Sequence, residues 1–583
     1  MRHLLLIVLS LAIHSSYSQY YLRGEVRNEK GAVLQGVRIN LYSKGTIPFF
    51  SGDNGAFGLP SSLVTDTITL SVEGYEMLRQ PVATQQYQKL VMKMLPATAS
   101  MMKSRLASVT KNLKAQEQLS FFSVMGESYS NLLENGFIPA ARYPETGFAL
   151  NIDRASYSNV RRFLNNEMNV PSDAVRIEEM LNYFSFHPVK PDNQQKQFSF
   201  NSAVTTCPWN ANNQLLFINL NAPKLNLDSV PPSNLVFLID ISGSMDKPNR
   251  LPLLQAAFKL LTENLRPIDT ISIVTYGGGV GVALRPTSGA EKEVIKEVID
   301  SLTANGDTPG EGAIRMAYSV ARQSFIKNGN NRVILATDGD FNVGQTSEKQ
   351  LEDIITLERQ TGIYLTCLGV GMGNYKDSKL ETLAKKGNGN FAYLDNVMEA
   401  EKVMITEFTK TMYSVANDAY VSVNFNPEIV KQYRLIGFDN KKDAISDSSS
   451  ELEGGDVGSG HSIMAIFEIE PRAAVPLNNT NVGHLLLQYK PVKMLNSVKQ
   501  DFAIPYQPQD FATADNTYRF ATSVAMFGSL IKQSQYIRYT FNDVLQIANA
   551  SAKPNDYAEH EFIALVQKAD KIYNPKKRKR DRE

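Results

Sequence analysis

The chain is poor in the residues from which many catalytic centres and zinc sites are built. Its 583 residues include two cysteines, one tryptophan and six histidines. No H-E-x-x-H pair and no Walker motif occurs, and no G-x-S-x-G lies near the serines considered below. Zinc sites and nucleophilic triads depend on Cys, His or an activated Ser, so these absences argue against a zinc enzyme and a serine hydrolase.

Neither cysteine belongs to a recognisable disulfide framework. Cys207 and Cys367 show none of the short spacings that such a framework requires. Cys367 lies within residues 363–370, an apolar stretch typical of a buried central strand, so we expect it to be a small core residue. A disulfide between the two cysteines remains the alternative.

The chain also lacks an excess of charge and a long apolar run. Its 60 Lys and Arg residues and 59 Asp and Glu residues leave a formal net charge of +1, which gives no argument for a nucleic-acid partner. Beyond the amino terminus we find no run of about 18 apolar residues, so no transmembrane segment is expected in the mature chain. The hydrophobic content of 43% and charged content of 20% are typical of soluble globular proteins.

Residues 1–18 have the pattern of a secretory signal peptide. Arg2 precedes an apolar run over residues 4–13, and Ser16 and Ser18 supply small residues before a cleavage site at Gln19. The run is too short to span a bilayer, and no Cys follows the cleavage site to carry a lipid anchor. We therefore expect an exported, soluble protein of the periplasm or the cell surface.

One short stretch organises the rest of the chain. Residues 235–239 are apolar without interruption, which is typical of a strand buried on both faces. Asp240, Ser242 and Ser244 follow at a spacing of two. Ligands of open α/β sheets bind at the carboxyl ends of strands. A carboxylate with two hydroxyls, without His or Cys, favours Mg²⁺, Mn²⁺ or Ca²⁺ over zinc.

Two later stretches carry the same kinds of oxygen donor. Residues 306–310 read Gly-Asp-Thr-Pro-Gly and place Asp307 and Thr308 in a loop. Residues 332–340 are again an apolar strand, which ends in Asp338, a glycine and Asp340. Any one of these stretches alone would be read as ordinary turn residues after a strand. All three in this order predict a single site.

The order DxSxS, lone Thr, strand ending in TDG resembles a von Willebrand factor type A (VWA) domain. The resemblance implies a metal-ion-dependent adhesion site that leaves one coordination position for an Asp or Glu of a partner protein. In that pattern, the hydroxyls of Ser242, Ser244 and Thr308 would contact Mg²⁺, Mn²⁺ or Ca²⁺ directly. The carboxylates of Asp240 and Asp338 would act through bound water molecules. Asp307 and Asp340 would make secondary contributions.

Strands and helices alternate around these stretches, from about residue 233 to residue 414. Alternation at this spacing predicts a doubly wound (Rossmann-like) sheet. We expect residues 235–240, 332–337 and 363–370 to be its central parallel strands. The Gly277–Gly279 run is not a phosphate loop, because neither Gly-Lys-Ser/Thr nor a helix follows it.

The amino-terminal flank reads as β-structure. Residues 19–95 contain alternating apolar positions separated by Asn-Gly and Glu-Gly turns. A pattern of glycines and apolar residues in this segment resembles the carboxypeptidase-regulatory-like β-sandwich, which implies a non-catalytic interaction or stabilising module. The residues that carry the pattern are Gly24, Val26, Gly31, Leu34, Gly36, Val37 and Ile39.

The segments on either side of the α/β domain resemble those of one bacterial family of VWA proteins, over roughly residues 125–575. Residues 174–184 in the first segment have helical spacing, with Ser172 as a cap and a charged side that reads as a solvated face. Residues 433–438 and 458–461 carry the resemblance in the second, which is largely β with a helix near its end. The chain ends in a basic run, residues 576–580, which reads as a solvated tail; weak contact with an anionic surface is the alternative.

The expected architecture is therefore multidomain. A doubly wound VWA domain is flanked by a β-sandwich and by a mixed, largely β carboxy-terminal region. The predicted divisions are a signal peptide (1–18), a β-sandwich (19–95), a linker (96–124), an α+β segment (125–232), the VWA domain (233–414), a carboxy-terminal domain (415–575) and a basic tail (576–583).

Three functions remain open from the sequence. The first is an exported protein-binding module, for adhesion or assembly, that captures a carboxylate of a partner through a divalent cation. The second is a structural scaffold of a cell-envelope complex that uses no metal. The third is a metal-dependent hydrolase, since Asp340 adds a carboxylate near a metal that could activate water.

Overall fold

The computed structural model describes residues 20–93 and 127–574, apart from short gaps. The gaps are 30, 46–47, 53, 73–74, 131, 151–152, 187–196, 226–229, 307–309, 340–347, 374, 408–409, 411, 439, 442–454, 473–479, 493 and 495. The chain divides into two compact units, Met1–Leu106 and Ala107–Glu583. The predicted signal peptide, linker and basic tail lie outside the described residues.

The first unit contains two sheets that enclose one apolar core. Alternating side chains such as Leu22 and Val26 on one sheet, and Ile39 and Ile68 on the other, are fully buried in it. The orders are β4-β1-β7 and β3-β2-β5-β6. The strands are β1 (Tyr20–Asn28), β2 (Arg38–Leu41), β3 (Pro48–Phe50), β4 (Ala56–Ser61), β5 (Thr65–Ser71), β6 (Leu78–Ala83) and β7 (Gln88–Met92).

The second unit begins with short strands and two helices. The strands are β8 (Leu132–Leu133), β9 (Ile138–Pro139) and β10 (Glu145–Ala149). The helices are α1 (Ala155–Asn165) and α2 (Ile177–Asn182), and the strands β11 (Ser199–Thr206) and β12 (Gln214–Asn221) follow them. Ser172 was expected to cap the second helix, but this expectation is wrong. Ser172 lies in a separate 3₁₀ turn, and Val175 and Arg176 are extended between that turn and α2.

A doubly wound α/β domain follows, as expected. Its sheet has the order β15-β14-β13-β16-β17-β18, with β15 antiparallel at one edge and the other strands parallel. The strands are β13 (Ser233–Asp240), β14 (Thr270–Tyr276), β15 (Val280–Ser288), β16 (Asn330–Thr337), β17 (Ile363–Val370) and β18 (Phe391–Leu394). The helices are α3 (Leu251–Glu263), α4 (Lys292–Ser301), α5 (Gly310–Gln323), α6 (Glu348–Gln360), α7 (Asp377–Lys386) and α8 (Val397–Glu401), and a π-helical turn spans Lys402–Thr406.

The continuous apolar runs place the strands of this sheet in the middle of the domain. β13 and β16 are buried along their whole length because apolar side chains cover both faces of the sheet. Phe237 and Ile239 of β13 point into one core, whereas Val236 and Leu238 point into the other. Cys367 of β17 is fully buried, as expected, and both cysteines are free thiols.

The last part of the chain returns to β-structure and then to helices. The strands are β19 (Ser414–Phe425), β20 (Val430–Ile436), β21 (Asn440–Lys441), β22 (Gly455–Gly458), β23 (Ser462–Pro471), β24 (Asn481–Pro491), β25 (Val498–Pro505) and β26 (Pro508–Gln509). The helices are α9 (Asn516–Lys532), α10 (Phe541–Ser551) and α11 (Tyr557–Tyr573). In the part of the chain that the structure describes, no helix combines the length and the hydropathy needed to cross a membrane.

Strands from before and after the α/β domain pair in the same sheets. One sheet has the order β26-β11-β12-β23-β20-β9, and the other β10-β19-β24-β25 with β22 on β19. Leu216 and Ile218 of β12 face the core between the two sheets, whereas Leu215 and Phe217 face a helical layer. This layer contains α1, α2, α9, α10 and α11. The α/β domain is therefore inserted, in sequence, into a second sandwich.

Candidate functional site

The carboxyl ends of two neighbouring strands bring the predicted acidic residues to one edge of the α/β sheet. Asp240 is the last residue of β13, and Asp338 directly follows β16. The two strands are parallel partners, with Ile239 paired to Ala336. Both carboxylates are almost completely buried. The apolar runs before them are thus the reason for their position.

Asp240 is held by two hydrogen bonds. Its Oδ1 accepts from the backbone N–H of Ser242 at 2.9 Å, and its Oδ2 accepts from Thr337 Oγ1 at 2.9 Å. Burial raises the pKa of this carboxyl, the nearby Asp338 adds to the shift, and the hydrogen bonds from Ser242 and Thr337 oppose it. A buried carboxylate with a raised pKa is one that a nearby cation would stabilise.

The two serines form a pair of adjacent oxygen donors. Ser242 Oγ and Ser244 Oγ lie 3.1 Å apart, although Ser242 is buried and Ser244 is exposed. A 3₁₀ turn at Gly243–Met245 bends the chain between them and directs both hydroxyls to one side. Two hydroxyls at this separation can contact one ion.

Glycine contacts hold three loops together at this edge. Gly306 has a φ of +77°, and a Cβ there would lie 2.2 Å from Gly278 Cα. The Gly306 carbonyl accepts a hydrogen bond from the Gly243 N–H at 3.0 Å, and Asn305 N–H donates to the Ile241 carbonyl at 2.6 Å. The chain just before Thr308 is therefore bonded to the DxSxS loop. Thr308, Asp307 and Asp340 themselves lie outside the described residues.

Arg250 is part of this site, although it was not predicted from the sequence. Its guanidinium forms an ion pair with Asp338 and donates to the Ser244 carbonyl at 2.6 Å and to the Met372 carbonyl at 2.8 Å. Arg250 is buried, and its side chain packs against Gly371 so closely that a Cβ there would lie 2.5 Å from Nε. In the sequence it is one arginine in a polar loop before α3, without a motif to separate it from surface arginines.

The donors fit a hard divalent cation better than a soft one. The described members of the set are two carboxylates and two hydroxyls, all oxygen. Among the described residues no cluster of three or more His, Cys, Asp or Glu side chains could hold a metal.

A second polar cluster corrects an expectation about α2. Arg176 and Glu179 were expected on a solvated helix face, but both are buried. Arg176 forms ion pairs with Glu179 and, at 2.7 Å, with Asp377 at the start of α7. This expectation failed because the opposite partner lies about 200 residues away in sequence. The cluster joins α2 to the α/β domain.

Family models match both the α/β domain and its flanks. The model of the von Willebrand factor type A domain matches residues 235–340, which include β13, β16 and the site. A model described as von Willebrand factor matches residues 123–217, and one described as Uncharacterized protein YfbK, C-terminal, matches residues 410–572. The fold and these matches define a multidomain protein built around a VWA domain.

A relative in Escherichia coli (strain K12) is similar over most of the chain. The YfbK protein is 36% identical over 476 residues, which cover 76% of this chain and 81% of YfbK. The chain belongs to the bacterial family of VWA proteins that includes YfbK. The inter-alpha-trypsin inhibitor heavy chain H2 of Mus musculus is 28% identical over 163 residues, or 27% of this chain and 17% of that protein.

Among solved structures, a von Willebrand factor type A protein from Catenulispora acidiphila is similar to this chain at 15% identity. The match covers 65% of this chain and 91% of that one, with a TM-score of 0.39.

Proposed function

We propose that this chain is an exported protein-binding module that captures a carboxylate of a partner protein through a divalent cation. VWA domains commonly mediate metal-dependent protein interactions, and the chain contains one. The observation that carries the proposal is the placement of Asp240, Ser242, Ser244 and Asp338 at the carboxyl ends of two neighbouring buried strands. The partner would present an Asp or Glu.

The residues divide into those that would contact the cation and those that orient them. Ser242, Ser244 and Thr308 would supply neutral hydroxyl ligands. A cation held by neutral ligands remains strongly attractive to an incoming carboxylate, which is the chemistry that Mg²⁺, Mn²⁺ or Ca²⁺ would supply here. Asp240 fixes the Ser242 backbone through a hydrogen bond of 2.9 Å, and Arg250 fixes Asp338.

Titration calorimetry with Mg²⁺, Mn²⁺ and Ca²⁺ tests the site. Asp240→Ala is expected to abolish binding of the cation, because it removes the buried negative charge that favours it. Ser242→Ala is expected to weaken binding less, since water can replace one neutral ligand. Asp246→Ala is the matched control, because Asp246 is an exposed carboxylate only two residues beyond Ser244.

The outcomes separate the site from the protein-binding role. Unchanged cation binding in Asp240→Ala would place the metal elsewhere and remove the proposal. If the cation binds as expected, a pull-down with magnesium and with chelator tests the second step. The retained partner should disappear in chelator and in Asp240→Ala but remain in Asp246→Ala. A partner retained equally under all these conditions would favour a metal-independent scaffold.

We further propose that the protein is exported through the signal peptide at residues 1–18. The support is the apolar run at residues 4–13 followed by small residues before Gln19. Sequencing the amino terminus of the protein from the periplasmic or surface fraction should begin at Gln19 or within a residue or two. Recovery of an intact Met1 in that fraction would contradict the proposed export.

We also propose that residues 19–95 form a carboxypeptidase-regulatory-like module and that the domain boundaries lie where the sequence predicts them.

A further inference from the structure

A groove of about 610 Å³ lies where helices from before, within and after the VWA domain meet. It shares no lining residue with the candidate metal site. Its walls come from α1, from Tyr183 just after α2, from α8 and the π-helical turn, and from residues 553–561, which include the start of α11. Small-molecule sites have volumes of roughly 300–1,000 Å³ and favour such junctions, and π-helical turns are frequent at functional sites.

Two large apolar side chains that line the groove are exposed. Met398 of α8 is 54% exposed and Tyr557 at the start of α11 is 66% exposed, and both line the groove. Val397, beside Met398, is also 52% exposed. Large side chains of this kind are normally found singly on a surface, whereas here two of them line one cavity. They offer a surface for an aromatic or aliphatic body.

Lys402 supplies a positive charge that no described carboxylate neutralises directly. Its Nζ donates to the Tyr183 carbonyl at 2.8 Å and lies 2.9 Å from the centroid of the Tyr183 ring, and neither group carries a formal negative charge. Burial lowers the pKa of Lys402 to about 8, although Glu407 and Glu399 act in the opposite direction. An ammonium group has three N–H donors, so the carbonyl leaves donor capacity for a ligand.

The other cations of the groove already have carboxylate partners. Arg161 pairs with Asp395, Glu399 and Glu561, and Lys553 pairs with Glu559 at 3.2 Å. Of the basic side chains that line the groove, Lys402 is therefore the one without an ion pair among the described residues. Three carboxylates, Glu401, Asp556 and Glu561, also line the groove, and Glu561 is a partner of Arg161. A ligand that complements the groove therefore carries a single negative charge, placed at Lys402, next to an apolar body.

We propose that this groove binds a small carboxylic acid, with its carboxylate on Lys402 and its apolar body against Met398 and Tyr557. The carboxylate forms a charge-assisted hydrogen bond with the ammonium group, which strengthens as the ligand excludes water from it. The site would act independently of the divalent cation.

Binding of 3-phenylpropionate to the full chain tests the proposal, by calorimetry and saturation-transfer NMR in the presence of EDTA. We expect a dissociation constant on the order of 1 mM, as for a fragment of this size. The uncharged 3-phenylpropanamide should bind at least about tenfold more weakly, because it lacks the charge-assisted bond. Asp240→Ala should bind the acid as the unmodified chain does, which separates this groove from the candidate metal site.

Two lysine variants and one surface variant locate the ligand. Lys402→Met should weaken binding at least about tenfold, whereas Lys553→Met should change it by less than about twofold because Lys553 is already paired. Tyr557→Ala, at an exposed position that should not affect folding, should also weaken binding. The proposal would be overturned if the acid and the amide bound with equal affinity, or if the two lysine variants lost equal affinity for the acid. It would also be overturned if the acid bound without EDTA but not in its presence.

Discussion

At the scale of the residue, Arg250 connects the loops of the candidate metal site although it is not an expected ligand. It is buried, and it forms an ion pair with Asp338 while its other donors hold the carbonyls of Ser244 and Met372. The single guanidinium thus connects the DxSxS loop, the end of β16 and the loop after β17. It supplies positive charge to the site before any cation binds.

We predict that Arg250→Met destabilises the chain by about 3–5 kcal/mol in chelator, because the buried ion pair with Asp338 is lost. Part of this loss should be recovered in millimolar Mg²⁺, since the cation would restore positive charge near Asp338. Urea unfolding with and without Mg²⁺ measures both effects.

Lys259→Met provides the contrast, because the Lys259–Asp300 pair is largely exposed and should contribute less than about 1 kcal/mol. A loss in Arg250→Met no larger than in Lys259→Met would show that the buried pair does not stabilise the fold.

At the scale of the element, the first helix is attached to the α/β sheet by a buried acid. Asp153, just before α1, accepts a hydrogen bond from the N–H of Phe391 at the start of β18, at 3.0 Å. Burial raises the pKa of Asp153 to about 7; Glu179 and Glu381 add to the shift, whereas Lys385 and the Phe391 N–H oppose it. The ordinary pKa of an unfolded Asp is about 3.9.

The sign of the pH dependence follows from these values. Between pH of about 4 and 7 the folded chain retains a proton on Asp153 that the unfolded chain releases, so this carboxyl makes stability fall as pH rises. Asp153→Asn keeps an oxygen acceptor for Phe391 and removes the charge. We predict a flatter stability profile over this range and a more stable variant at pH 8, by urea unfolding at pH 5 and pH 8. If Asp153→Asn lost as much stability between pH 5 and pH 8 as the unmodified chain does, Asp153 would not be the group responsible for the pH dependence.

At the scale of the whole molecule, the second unit is built from segments that are distant in sequence. β12 lies between β11 from the same segment and β23 from beyond the α/β domain, and β10 pairs with β19. Removing either flank exposes a full sheet face and the edge of a buried strand. The two flanks should therefore fold only together.

We predict that a chain ended after residue 413 leaves residues 127–222 unfolded, because β12 loses its partner β23 and its apolar faces lose their cover. Limited proteolysis should cut within residues 199–221 in the shortened chain and spare them in the full chain. The α/β strands should stay protected in both, since their own helices cover them. Equal protection of residues 199–221 in the two chains would contradict shared folding.

Local patterns predicted the α/β domain because its strands can be recognised from a few neighbouring residues in the sequence. Apolar runs at residues 235–239 and 333–336, each followed by a carboxylate, indicated buried strands with acids at their carboxyl ends. Strands in the flanks were harder, and β11 and β12 were not predicted. Within the α/β domain, helix α7 was not predicted either. The buried position of Arg176 and Glu179 was not predicted either, since a charged helix side looks the same whether it meets water or a distant ion partner.

The sequence by itself determined the alternation of buried strands and helices in the α/β domain and the kinds of oxygen donor at its edge. Both follow from hydrophobic runs and turn residues that act over a few positions. Only the tertiary structure decided that Arg250 neutralises Asp338, that Asp377 pairs with Arg176, and that Lys402 lines a groove. Each of these depends on which segments, often more than 80 residues apart, the sheets and helical layer bring together. Charge pairing depends on which side chains are close in space, and a local sequence pattern does not contain that information.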